Sequence, residues 1–328
     1  LPRLDLRRLI AIGLLAALTL TLLLTLGGGR ATLTIIAQAD WRLLALAAAV
    51  HYIGFALRGQ RWQTLLAALG HPLGYFYTLT VLLAGWFVSA LLPARAGDLF
   101  RVFALYKPPP HQPAVPVADT LGTIVLERAL DIFAILLLSA GFSFVVLQGR
   151  IPGWLLGIYG AAVALLVVLG VLLLVTPHIL EGLRGWSARP LWQKALTFMA
   201  QIAGSLHTLA RRPAIALLVV GESLVIWLCD GLLLWLVANS LGAALGLGAA
   251  GFVALTVDIF AAVPLTPGGM GQVETAYAAL LALLAHPGLP ISAVVLATRA
   301  ISYWSFLVIS GLVTLFAGFG RHLTELRP

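Results

Sequence analysis

The sequence predicts an all-α polytopic membrane protein, with about six full spans and two re-entrant broken-helix hairpins related by an inverted repeat. Three observations carry this. Of 328 residues, 61% are hydrophobic and 10% charged, where a soluble chain carries roughly 25% charged residues; mean hydropathy is +1.03. Apolar runs of spanning length recur from Leu9 to Phe316, without the strand-type alternation of a barrel. Two of the apolar regions are broken by Pro and Gly beside charged residues, at Pro93–Arg101 and Pro267–Glu274.

In chain order, residues 9–26 form the first predicted span, after Arg3, Arg7 and Arg8. The absence of an A-x-A-like site reads it as a start-transfer span, and the missing Met at position 1 suggests trimming or an incomplete record. Residues 41–57 form the second, with His51 and Tyr52 inside it and Arg58 and Arg61 closing it on a basic loop. Residues 72–92 are apolar and aromatic and lead into the first break and a short piece ending at Tyr106. Lys107-Pro108-Pro109-Pro110 stops that piece. Residues 118–147 are a span carrying Glu127, Arg128 and Asp131, with Thr120 and Thr123 on the same face.

Residues 154–175 are a plain span. Residues 176–212 are mixed and basic, with Trp186 and Trp192, and read as a cytoplasmic interfacial segment. Residues 213–236 carry Glu222 and Asp230 on roughly one face. Residues 249–265 and 273–284 flank the second break, and 291–316 form the last span, with Arg299. The whole of 1–328 reads as one transmembrane domain without a soluble domain.

Two pieces repeat. Pro93-x-x-x-Gly97-Asp98-Leu99 parallels Pro267-x-x-x-Gly271-Gln272-Val273. Arg128-Ala129-Leu130-Asp131 follows the first after 35 positions, and Arg299-Ala300-Ile301-Ser302 follows the second after 32. The halves are approximately 72–147 and 249–318. Loop charge supports opposite entry. With the N-terminus cytoplasmic, two hairpins that enter and leave on one side place nearly all loop Lys and Arg inside, leaving Arg30, Arg42 and Arg150 outside. The expected site is the inner membrane, with both termini cytoplasmic. The net charge of +8 then reports cytoplasmic loops facing anionic lipid, not nucleic-acid binding.

Inverted repeats place binding sites at broken helices near the midplane. Arg128 and Arg299 lie about 12–15 Å into their spans at 1.5 Å per residue, close to the middle of a roughly 30 Å core. Charges at that depth are costly and face the interior. The candidate substrate site is therefore Arg95, Gly97, Asp98, Arg101, Glu127, Arg128, Asp131, Pro267, Gly268, Gly269, Gly271, Glu274, Arg299 and Tyr303. Glu222, Asp230 and Asp258 are candidates for proton coupling. Helix starts after Gly97 and Gly271 offer free N–H groups, and arginine forks suit a phosphate. Taken singly, these charges could instead only pair with one another, Asp98 or Glu274 with Arg128 or Arg299.

No metal, cofactor or enzyme signature stands out. Cys229 is the single cysteine, no H-E-x-x-H occurs, and no nucleotide-binding loop is present. Gly269-Met270-Gly271 is followed by Gln272, not the Asp of an intramembrane aspartyl protease. Asp40 is the only acidic residue offered in an outer loop for glycosyl transfer.

Leu92-Pro93-Ala94-Arg95-Ala96-Gly97-Asp98, Glu127-Arg128-Ala129-Leu130-Asp131, Pro267-Gly268-Gly269-Met270-Gly271-Gln272-Val273-Glu274 and Arg299-Ala300-Ile301-Ser302-Tyr303-Trp304 together resemble the lysylphosphatidylglycerol synthase transmembrane (flippase-like) family. The resemblance covers nearly the whole chain; Pro-Gly-Gly-x-Gly-x-x-Glu is its most specific part. It implies a standalone member, without the soluble aminoacyl-transferase domain of fused relatives. It also implies movement of a lipid between leaflets, an anionic or modified (glyco/phospho)lipid whose identity the resemblance leaves open; the arginines make a phosphate-bearing headgroup the expected partner. A lipid-biosynthesis enzyme is a further expected partner; the alternatives are a non-transporting membrane partner of a lipid or envelope biosynthesis enzyme and an intramembrane lipid-modifying enzyme.

Overall fold

The computed structural model describes residues 29–91, 96–148, 151–184, 190–262, 266–284 and 289–317. Helices dominate them: α1 (Gly29–Ala37), α2 (Trp41–Ala68), α3 (Tyr75–Leu91), α4 (Ala96–Tyr106), α5 (Val117–Val146), α6 (Gly153–Arg184), α7 (Pro190–Ala210), α8 (Pro213–Ser240), α9 (Leu247–Ala261), α10 (Gln272–Leu283), α11 (Ile291–Arg299) and α12 (Phe306–Phe316). Local chemistry sets several ends. Asp40 caps α2 by accepting from the Arg42 amide. Pro116 precedes α5, and Pro213 opens α8 in the first turn, where its missing N–H costs nothing.

Four helices among the described residues are long and apolar enough to cross a membrane: Trp41–Ala68, Val117–Val146, Pro213–Ser240 and Ile291–Phe316. The last joins α11 to α12 through a π-helical stretch, Ala300–Ser305, directly after Arg299. Of the other two expected spans, 154–175 lies within α6, and 9–26 lies outside the described residues. The helix α7 packs against α5 and α6. Large apolar side chains such as Phe76, Leu217 and Phe316 stand 76–87% exposed, as a lipid-facing surface requires.

One expectation is corrected. Arg58 and Arg61 do not close a span on a basic loop. The helix runs on to Ala68, and both arginines are buried inside it, at 5% and 2% exposure. Between Leu57 and Ala68 stands only the isolated Gly59, which a helix tolerates, and the break comes at Gly70 and Pro72.

Two helical hairpins organise the interior. In the first, α3 and α4 run antiparallel: Gly85 touches Gly97, and the Tyr77 hydroxyl donates to the Ala104 carbonyl. A Cβ on Gly97 would strike the Gly85 carbonyl, so only glycine lets the arms close. In the second, α9 packs on α10, and the Gln272 side chain donates to the Phe260 carbonyl. Each hairpin has its own apolar cluster, one around Trp62, Leu82 and Phe100, the other around Leu234, Phe252 and Val294. Their ends meet where Ala90 packs with Met270 and Tyr303. The long helices α2 and α8 pack extensively along each other between them.

Candidate functional site

Helix α4 presents Asp98 and Arg101 one turn apart, and α5 presents Glu127, Arg128 and Asp131. Arg61 comes from α2. These six side chains close a ring of alternating charge. Asp98 accepts from Arg101 at 3.5 Å, and Arg101 reaches Glu127 at 2.5 Å. Glu127 lies 3.7 Å from Arg61, which meets Asp131 at 2.8 Å. Asp131 contacts Arg128 at 3.4 Å, and Arg128 returns to Asp98 at 3.6 Å.

Neutral side chains hold the ring. Arg61 donates to the Ser223 hydroxyl at 2.7 Å, and Trp227 donates to Asp131 at 3.1 Å. The Arg101 guanidinium sits 3.9 Å over the Trp62 ring, whose N–H goes to Thr123. Three arginines against three carboxylates make the ring neutral. That is how so much charge is tolerated in an apolar interior, where a buried ion needs a partner.

The members are not equal. Arg61 and Arg101 are sealed, at 2% and 1% side-chain exposure, while Arg128 is 27% exposed. Both ion-pair contacts of Arg128 are long, 3.4 and 3.6 Å. Its guanidinium is the loosest and most exposed cation of the ring.

The second break builds a separate pair. Gly268, Gly269 and Gly271 all take positive φ, at 61°, 66° and 80°. At Gly268 a Cβ would also enter the Tyr303 ring. This backbone lets α10 start at Gln272, with Glu274 turned back onto the Gly271 amide at 2.8 Å. The other carboxylate oxygen of Glu274 accepts from Arg299 Nε at 2.6 Å. Arg299 also donates to the Gly268 carbonyl at 3.2 Å and lies 4.4 Å from the Tyr303 ring centroid.

Between the ring and this pair lies Arg58. It binds Asp230 at 3.3 Å and is boxed by Phe55, Trp86 and Trp227 at 5.0–5.6 Å. His51 stands 4.0 Å from Asp230. Trp227 therefore touches both layers, through its ring and through its N–H. Asp258 lies within the electrostatic reach of Asp230 and Arg58.

Most of the residues expected at the site are thus brought into two clusters. Asp98, Arg101, Glu127, Arg128 and Asp131 join the ring. Gly268, Gly271, Glu274, Arg299 and Tyr303 form the second cluster, with Pro267 and Gly269 shaping its turn. Gly97 closes the first hairpin. Glu274 pairs with Arg299, whereas Arg128 pairs with Asp98 and Asp131. Arg95 lies outside the described residues. Sequence reasoning missed Arg58, Arg61, Ser223 and Trp227. The pattern from Trp41 to Ala68, interrupted only by the isolated Gly54 and Gly59, is compatible with one long helix carrying the first two, but nothing local marks their buried partners.

Fold and interior together define a helical membrane-spanning protein whose broken helices surround a buried network of ion pairs. The chain belongs to the lysylphosphatidylglycerol synthase TM region family, whose profile matches residues 9–310. A UPF0104 membrane protein of Methanothermobacter thermautotrophicus is 24% identical over 318 residues, 92% of this chain and 90% of that protein. Another, of Methanocaldococcus jannaschii, is 25% identical over 69% of this chain and 92% of its own length. Glycosyltransferase AglD of Haloferax volcanii is 26% identical over 98% of this chain, a match that spans 55% of AglD. No solved structure matches the chain.

Proposed function

We propose that this protein is a transporter, not an enzyme, that moves a phosphate-bearing lipid headgroup between leaflets through the space between its two hairpins. One observation carries the reading: the neutral charge ring has one loose, partly exposed member, Arg128. A phosphate offers two acceptor oxygens for the planar guanidinium fork, the bidentate contact that its two long ion pairs lack. Asp98 is the carboxylate it displaces, and the ring opens between α4 and α5.

In this reading α3–α4 and α9–α10 are re-entrant hairpins entering from opposite faces, as the halves 72–147 and 249–318 of an inverted repeat. The pairs Asp98–Arg128 and Glu274–Arg299 support it, because each joins a hairpin arm to the long helix that follows it. Contact between the hairpin ends at Ala90 and Met270 supports it too. The protein sits in the plasma membrane with both termini cytoplasmic, since that arrangement places most loop arginines inside.

The test is reconstitution. Liposomes holding the purified protein should equilibrate a fluorescent phosphatidylglycerol between leaflets faster than empty liposomes. Equal rates would leave the second reading, a non-transporting membrane partner of a lipid-modifying enzyme, which the match to a protein named a glycosyltransferase favours.

A further inference from the structure

The ion pairs of the interior balance, and two carboxyls are left over. The ring contributes three arginines and three carboxylates, the second break contributes Arg299 with Glu274, and the aromatic box contributes Arg58 with Asp230. Among the described residues of these packed helices, Asp119, Glu222 and Asp258 have no arginine of their own; Asp119, 25% exposed, is held by His71 and Ser205, which leaves Glu222 and Asp258. Glu222 is 8% exposed, and neither of its carboxyl oxygens has a hydrogen-bond partner. On Asp258, a partly exposed residue, the Oδ2 is buried and unpartnered.

Their surroundings are specific. The helix α8, which carries Glu222, packs against α2, α5, α7, α9 and α11. The charged group acting directly on Glu222 is Arg61 of α2, already committed to Asp131 and Ser223. The same arginine faces Glu127 and Asp131 of α5. The helix α9, which carries Asp258, packs against α5, α8 and α10. Facing Asp258 are Asp230 of α8, Arg58 of α2 and the Tyr277 phenol of α10. His51 stands beside Asp230. A carboxyl sealed from water without a counter-ion is stable only with its proton on.

We propose that Glu222 and Asp258 are proton-binding sites, and that their protons move together with the anionic lipid headgroup. The first half stands on the unpartnered carboxyls alone; the second rests on the transport reading above. With both carboxyls protonated, the interior is electrically neutral. Admitting one anionic headgroup adds one negative charge, and a retained proton keeps the loaded state from adding another. Loaded sites then carry proton and lipid in the same direction and release both where the interior opens to water on the far side, so that the empty site returns with neither.

Two measurements on the full chain test this. Infrared spectra of the full chain in an ester-free detergent at neutral pH should show the C=O stretch of protonated carboxyls. Glu222→Gln and Asp258→Asn should each remove part of that band, and His51→Gln should leave it. No such band, or a band untouched by both carboxyl substitutions, overturns the proton sites whatever the lipid does. In vesicles with an alkaline lumen, labelled phosphatidylglycerol should accumulate severalfold in the inner leaflet. Glu222→Gln and Asp258→Asn should equilibrate it without accumulation. Equilibration in the wild type regardless of the gradient overturns the coupling and leaves the transport reading standing. No lipid movement at all overturns both the transport reading and the coupling, while the infrared band still decides the proton sites.

Discussion

Arg299 and Glu274 close on each other at 2.6 Å, and the second oxygen of the same carboxylate holds the Gly271 amide at 2.8 Å. One side chain thus starts α10, bends the glycine turn onto it, and neutralises an arginine inside an apolar core. Removing the arginine strands a buried carboxylate, and breaking such a pair costs about 3–5 kcal/mol. Arg299→Ala should therefore unfold at markedly lower temperature or denaturant in detergent. Adding Glu274→Gln, which keeps a side-chain oxygen for the Gly271 amide, should recover much of the loss. Equal stability of wild type and Arg299→Ala would show that the pair is not sealed as described.

Gly268 combines a φ of 61° with the Tyr303 ring against its Cα. Gly268→Ala should cost about 1–3 kcal/mol from backbone strain alone, and more from the collision. Tyr303→Ala in the same chain should relieve the collision but not the strain. Thermal unfolding of the single and double variants checks both parts, and full rescue by Tyr303→Ala would refute the strain.

Arg61 serves Asp131, Ser223 and Glu127 with one planar fork. A lysine has a point charge and no fork. Arg61→Lys should recover only part of the stability lost in Arg61→Ala, itself about 3–5 kcal/mol for a broken buried pair. Denaturant titration of the three proteins checks the order. Arg61→Lys matching wild type would place Arg61 outside the ring's geometry.

The opposite entry of the hairpins has its own test. With Cys229 replaced, single cysteines at Ala114 and His286 should react with membrane-impermeant reagents from opposite faces in oriented vesicles. Labelling from the same face would remove the inverted arrangement.

Much of this was legible in the residues. Pro and Gly inside apolar runs marked both breaks, because neither residue suits a helix interior in lipid. The spacing of Arg128 and Arg299 after those breaks marked the pairing helices. Arg61 was hidden for a physical reason. A basic residue after an apolar run usually marks the cytoplasmic end of a span, and a partner that neutralises it from 66 or 70 positions away, as Glu127 and Asp131 do, leaves no local trace. The partners of Arg299 were ambiguous because Arg128 was inferred to lie at the same depth. Only packing assigns Asp98 to Arg128 and Glu274 to Arg299. The surplus of Glu222 and Asp258 also requires the pairing pattern, since Asp230 is equivalent to them in sequence and differs only by its contact with Arg58.

The central claim is that Arg128 holds the headgroup. Its contacts are long and its side chain is 27% exposed, so Arg128→Ala should leave the fold intact. The decisive measurement is the rate of phosphatidylglycerol translocation by folded Arg128→Ala in liposomes, beside the wild type. Losing a charge-assisted contact worth about 1.5–3 kcal/mol should slow it at least tenfold, and a wild-type rate would contradict the account.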